Sequence, residues 1–317
     1  MELEALEQIY FELSTSCPRH TRPRRRARPA RRLGRLPGAP PNYRTPAGWP
    51  IINHRGPQMK TMAELGRLLV AGLVVVGTPL AGQDATNRGE EIVREVERRS
   101  RGYGDLEAGL VMRILEGDRE RIREMHVQSL ESEDGDRTRM TLERPADMAG
   151  TEFLSALEDD GERHQWIYLP AARRVRRISG ARSSDSFLGS HFTYDDMTPP
   201  KVEGFTYRWI RDEEISGQPG AVIERTSLDD RTEYPRQLLW IETERYVLHR
   251  IEFFTSEGEH SRSLDLEQYL EIGGFWLAGR MTMMHLEDSA RTILEWSDMR
   301  VGVGLSARDF EPSRLGR

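Results

Sequence analysis

The side chains with the widest chemical reach lie between residues 183 and 196. Ser186, Asp185 and His191 are the residue types of a nucleophile, an orienting carboxylate and a general base, a set that would carry acyl transfer. Their spacing argues against it. No G-x-S-x-G elbow surrounds Ser186, and residues this near in sequence seldom converge as a triad. The run Ser183, Ser184, Asp185, Ser186 reads better as solvated capping groups. Metal chemistry is no better served. The six histidines beyond residue 83 (His126, His164, His191, His249, His260 and His285) include no pair at i,i+2 or i,i+4 spacing. The single Cys17 builds neither a disulfide nor a thiolate metal site within one chain. The expectation is therefore no enzyme, no metal and no cofactor.

The elements that position these residues begin well inside the chain. The 317 residues are 37% hydrophobic and 31% charged, the balance of a folded polypeptide. Residues 1–82 carry 13 Lys and Arg against 5 Asp and Glu, leaving 33 against 47 in the remainder. An acidic body of that kind repels phosphate backbones and anionic membrane surfaces, so no nucleic-acid partner is expected. Arg22 to Pro41 is Arg- and Pro-rich without hydrophobic periodicity, and predicts disorder. From Met59 the text becomes MKTMAELGRLLVAGLVVVGTPLAGQDA, with Lys60 and Arg67 before an apolar run from Leu68 to Gly77. That is the pattern of a secretory signal, with cleavage near Ala81 to Gln83, and its apolar run is well short of the ~20 residues that span a bilayer. The expected organisation is a basic leader over 1–58 that arises from an upstream start, a signal peptide over 59–83, and one exported, soluble domain over 84–317.

Within that domain Ile92, Val93 and Val96 share one face of an amphipathic helix over Asn87 to Gly102. The period then changes to two: Leu110, Met112 and Ile114 alternate with Val111 and Arg113, and Met140 and Leu142 alternate with Thr141 and Glu143. Further strands are predicted up to Val301, punctuated by turn signals such as Glu257-Gly258 and Gly273-Gly274. A series of about 11 strands with no helix long enough for a crossover predicts a mainly β (α+β) fold, an antiparallel meander forming one large curved sheet or partly closed barrel. Several strands are apolar on both faces, as where Phe205, Tyr207 and Trp209 alternate with Ile210 nearby; a packed core and a lined cavity both fit. The stretch SGARSSDSFLGSHFTYDDMTPPKVEGF breaks the pattern, and its Phe187, Leu188 and Phe192 read as exposed apolar residues on a mobile lid or binding loop.

The run RVRRISGARSSDSFLGSHFTYDDM, preceded by WIYLPAARRVRRI, resembles the periplasmic outer-membrane lipoprotein-sorting proteins, relatives of the carrier LolA, its receptor LolB and the LppX-like lipid carriers. The resemblance spans about Asp84 to Arg317. It implies a half-open antiparallel barrel around an apolar cavity, closed by helices and a lid loop. It also implies a periplasmic carrier or chaperone for the acyl chains of a lipoprotein or lipid, working beside an inner-membrane RND-type transporter and an outer-membrane acceptor. On that reading Trp166, Tyr168, Phe205, Tyr207, Trp209, Trp240, Phe253, Trp276 and Met283 are candidate cavity walls, subject to strand register. Phe187, Leu188 and Phe192 would form the lid. Arg174, Arg176 and Arg177 would hold the lid shut or meet an anionic headgroup. The alternative is a sensor or adaptor that binds a partner protein with the same half-barrel; it predicts a filled cavity.

Overall fold

The computed structural model describes residues 81–132, 135–157, 163–178, 184–197 and 201–317. The expected leader, and all but the end of the expected signal segment, lie outside the described residues. A single helix, α1 (Ala81–Ser100), opens the described chain. It starts earlier than periodicity predicted and ends before Gly102 and Gly104, both at positive φ, a backbone state glycine adopts without a Cβ penalty. Ile92 and Val93 are buried, as their shared face requires.

Thirteen strands follow, rather than about eleven: β1 (Asp105–Glu116), β2 (Arg119–Leu130), β3 (Arg137–Arg144), β4 (Glu152–Leu157), β5 (Arg163–Leu169), β6 (Arg174–Ile178), β7 (Phe205–Ile215), β8 (Gln218–Ser227), β9 (Arg236–Glu242), β10 (Val247–Phe254), β11 (His260–Ile272), β12 (Phe275–His285) and β13 (Arg291–Val301). They form one antiparallel sheet in the order β6-β5-β4-β3-β2-β1-β13-β12-β11-β10-β9-β8-β7. Two meanders are thus joined where β1 pairs with β13, Leu110 opposite Trp296 and Met112 opposite Leu294. The edge strands, β6 and β7, come from the middle of the sequence. The sheet does not close, and residues 179–204 connect one edge to the other. The arginines of β6 are exposed, which discourages edge-to-edge pairing with another chain.

A hydrophobic cluster lies on each face of the sheet. One core cluster gathers Ile92 and Val93 of α1, Met112 and Ile114 at the sheet centre, Phe153 of β4, Tyr207 of β7 and Ile223 of β8, so the sheet curls until strands near both edges meet one interior. Gly89 lets α1 approach closely, because a Cβ there would lie 2.7 Å from the Trp209 backbone nitrogen. On the opposite face of β4 and β5, Leu154 packs with Phe310 and Leu315 of the C-terminal tail, flanked by Trp166 and Tyr168. Among the described residues no helix is long and apolar enough to cross a membrane.

Candidate functional site

The inner face of the sheet is ordered in rows across the strands, because residues directly opposite in an antiparallel ladder share a face. One row is apolar: Trp209, Ile223, Leu239, Ile251, Leu264 and Met283 stand opposite one another in turn from β7 to β12. Two residues along each strand the row changes character, to Tyr207, Arg225, Gln237, Phe253, Arg262 and His285. An oily wall is thus bordered by a band of cations and hydrogen-bonding groups.

The segment between β6 and β7 lies against this wall. Its Phe187 is fully buried, and Phe192, Tyr194 and Val202 are buried too. The ring of Phe187 meets Phe153 edge-on at 5.2 Å and Tyr194 at 5.4 Å. The expectation of exposed lid side chains is therefore corrected: Phe187 and Phe192 are core residues, and Leu188 is half-buried, packed against the same cluster. The reason is the reach of the segment, which crosses from one sheet edge to the other and turns its apolar groups onto the open interior. Among its described residues the backbone forms short 3-10 turns and one bridge, between Ser186 and Thr193, and no regular ladder.

Side chains from distant strands hold the segment. Arg262 gives Asp196 two bonds, Nη1 to Oδ2 at 2.9 Å and Nη2 to Oδ1 at 3.0 Å, while its guanidinium stacks between Tyr234 at 4.3 Å and Phe253 at 4.4 Å. Asp196 also accepts from the Thr193 backbone N–H and hydroxyl. Gln165 Nε2 donates to the Tyr194 carbonyl at 2.8 Å, Arg121 to the Gly189 carbonyl at 3.2 Å, and Arg163 to Asp195 Oδ1 at 3.2 Å. The His191 N–H donates to Thr292 Oγ1 at 3.0 Å, and His191 Nδ1 lies 2.8 Å from the same hydroxyl. Thr193 and Asp196 are three positions apart, but the strand partners are not identifiable from local spacing, since Asp196 and Arg262 are 66 positions apart.

The predicted site residues divide accordingly. Phe205, Tyr207, Trp209, Phe253 and Met283 face or flank the inner cluster. Trp166 and Tyr168 point the other way, under the C-terminal tail, because β4 and β5 turn Phe153 and Ile167 inward. Trp240 alternates with inward Leu239 and Ile241 and lines an outer pocket of about 450 Å³ with Glu213, His249 and Asp265. Trp276 lies under the Arg245 guanidinium at 4.8 Å, outside the core cluster. Arg174, Arg176 and Arg177 are exposed on β6; Arg177 bonds His164, and the arginines that grip the insert are Arg121, Arg163 and Arg262 instead. Ser186 Oγ donates to the Ser190 carbonyl, so the hydroxyl and the His191 ring are engaged with different partners.

A family model described as an uncharacterized protein matches residues 134–317. No curated protein matches the chain. Among solved structures, an outer membrane lipoprotein-sorting protein domain from Vibrio parahaemolyticus is 32% identical with a TM-score of 0.71, and the match covers 73% of this chain and 100% of that one. The chain belongs to the outer-membrane lipoprotein-sorting protein family. A DUF1329 family protein from Desulfovibrio piger is 26% identical with a TM-score of 0.68, covering 73% of this chain and 99% of that one. A LolA superfamily protein from Nitrosomonas europaea, 19% identical with a TM-score of 0.57, covers 70% of this chain and 97% of that one and shares the fold.

Within this lipoprotein-sorting fold the inner cations are unusual for their surroundings. Arg123 of β2 is buried, burial lowers its pKa to about 10, and its Nε has no hydrogen-bond partner. Arg225 is lowered by burial to about 10 as well. His191 and His285 come together with ring centroids 5.0 Å apart, an approach their separation in sequence hides. Burial holds both below the ordinary histidine range, with the His285 ring adding to the effect on His191 and the Arg262 charge adding to it on His285. Among the described residues no group of three or more His, Cys, Asp or Glu is placed to hold a metal ion.

Proposed function

We propose that this protein is a periplasmic carrier that takes an acyl chain onto the inner face of its open sheet, in the place now filled by the aromatic groups of the insert. The observation that carries the reading is the origin of that filling. Phe187, Phe192 and Tyr194 come from an irregular connecting segment, whereas the sheet presents a continuous apolar row of its own from Trp209 to Met283. Moving an acyl chain through water exposes about 0.8 kcal/mol per CH₂, on the order of 12 kcal/mol for a 16-carbon chain, so a carrier must supply an equivalent surface. It must also release the chain. A surface that its own lid covers when empty meets both needs, because the insert's apolar contacts replace the cargo's. Export of a soluble domain from the signal-like segment, exchange with an RND-type transporter and delivery to an outer-membrane acceptor complete this reading. No catalysis is part of it.

A second reading is favoured by the same packing. An adaptor that binds a partner protein has no use for an empty cavity, and the described inner face is filled by Phe187 and its neighbours. Native mass spectrometry with organic extraction of the exported protein separates the two. Co-purifying lipid or acylated peptide, or stoichiometric uptake of an added acyl probe, supports the carrier. A clean apo mass that takes up no acyl probe supports the adaptor and overturns the carrier.

A further inference from the structure

Among the described residues, the cation band beside the apolar wall carries more positive charge than the carboxylates bonded to it neutralise. Arg262 has Asp196. Arg225 has no carboxylate within 4.0 Å among the described residues; its Nε and Nη2 both donate to the neutral Gln237 Oε1, at 2.8 and 2.5 Å, and its guanidinium lies 4.6 Å over the Phe205 ring. Gln237 is itself buried and donates to the Tyr234 carbonyl at 3.2 Å, so it aims the arginine without balancing its charge. A half-buried guanidinium with no anion beside it is only partly compensated by the neutral Gln237, and a ligand that brings an anion adds a charge-assisted bond there. The carboxylate that does reach the band, Asp196, belongs to the insert, which makes it a stand-in for the group that would arrive with a cargo.

We infer that the band formed by Arg225, Gln237 and Arg262 is an oxyanion seat, and that the cargo is an amphiphile carrying a phosphate or carboxylate at one end of its acyl chain. The inference rests on the carrier reading and narrows it. The geometry orders the two parts of the ligand. The head sits on the Arg225–Arg262 row, where Asp196 now bonds Arg262, and the chain runs over the adjacent row through Ile223, Leu239 and Ile251. Rows on one face lie two residues apart along each strand, about 7 Å, the distance from a headgroup to the first few methylenes. An uncharged acylated head gains nothing from Arg225.

The test compares 1-palmitoyl-glycerol phosphate with 1-palmitoyl-glycerol, which differ only in the phosphate, by titration calorimetry on the exported protein, with inorganic phosphate as a third probe. Charge-assisted hydrogen bonds of this kind predict binding of the phosphate form about tenfold or more tighter. Arg225→Gln should bring that ratio close to one, chiefly by weakening the phosphate form, and its circular-dichroism spectrum and thermal midpoint report whether the variant is folded. Arg225→Lys should retain most of the preference. Gln237→Met, which removes the acceptor that aims the guanidinium together with the bond to the Tyr234 carbonyl, should reduce it in the same direction and serves if Arg225→Gln does not fold. Equal affinity for both glycerides in the wild type overturns the oxyanion seat and leaves the carrier standing. Failure of both to bind overturns the carrier itself. Binding of inorganic phosphate alone, with neither glyceride taken up, overturns the assignment of the seat to a lipid head.

Discussion

Two irregular segments cover this sheet, one on each face, and they are held in different ways. The C-terminal tail, residues 305–315, buries Phe310 and Leu315 on Leu154. Its own residues tie its turn: Asp309 accepts from the Ser306 N–H and hydroxyl at 2.9 and 2.7 Å and from Arg314 at 3.4 Å. The described insert, residues 184–197 and 201–204, buries three aromatic rings, Phe187, Phe192 and Tyr194; short-range bonds such as Ser186 to Ser190 and Thr193 to Asp196 tie its turns, and Arg121, Arg163, Gln165, Arg262 and Thr292 anchor it to strands far away in sequence. The tail is a fixed cover whose order is mostly local. The insert is anchored by an apolar wall and by strand side chains that include Arg121, Arg163 and Arg262, and a lipid chain and an anionic head can replace the wall contacts and the Asp196–Arg262 pair.

Truncating the buried ring on each side sharpens this contrast most. Phe187→Ala should destabilise the empty protein by about 3–5 kcal/mol through loss of transfer energy and a residual cavity, read as a lower midpoint in urea. The same change should raise affinity for an acyl probe, because less has to be displaced. Phe310→Ala should destabilise within or below the same range and leave probe affinity unchanged. If the two variants change probe binding alike, the insert and the tail are both structural covers.

The next effect concerns the ties. Asp196→Ala leaves Arg262, buried between Tyr234 and Phe253, without its carboxylate, and breaking a buried pair on one side costs about 3–5 kcal/mol. Asp309→Ala removes a capping box at an exposed turn, worth about 0.5–2 kcal/mol. Chemical denaturation of the two variants measures both, and a loss for Asp196→Ala no larger than that for Asp309→Ala would contradict the described grip on the insert.

These ties also mark where sequence reading stopped. The alternation of Leu110, Met112 and Ile114, and the apolar face of Ile92 and Val93, state the strand and helix periods directly, and the sheet and its family are legible from them and from the RVRRISGARSSDSFLGSHFTYDDM run. Which face points inward is not. One residue of parity sends Trp166 and Tyr168 outward beneath the tail while Ile167 joins the core, and neither pattern nor composition states that parity. The burial of Phe187 and the pairing of Asp196 with Arg262 depend on strands brought together by the sheet order. An irregular segment carries no period from which to read them.

A smaller effect follows from the histidine pair behind the insert. Because His191 and His285 are held below the ordinary pKa of 6.5, the unfolded chain binds protons there that the folded chain does not, as pH falls through that value. Stability should therefore decrease from pH 7 toward pH 5, about the range in which an unperturbed histidine titrates. His191→Gln should make the thermal midpoint less dependent on pH in that window. A slope unchanged by the substitution would remove the pair from the account.

The most direct measurement is amide hydrogen exchange with and without saturating 1-palmitoyl-glycerol phosphate. In the empty protein the Phe187 N–H donates to the Phe192 carbonyl at 2.7 Å and the Tyr194 N–H to the Asp185 carbonyl at 3.2 Å. Ligand binding should speed exchange across 187–194 and leave 306–315 unchanged. Ligand bound with 187–194 as protected as before would contradict the claim that the insert occupies the cargo's place.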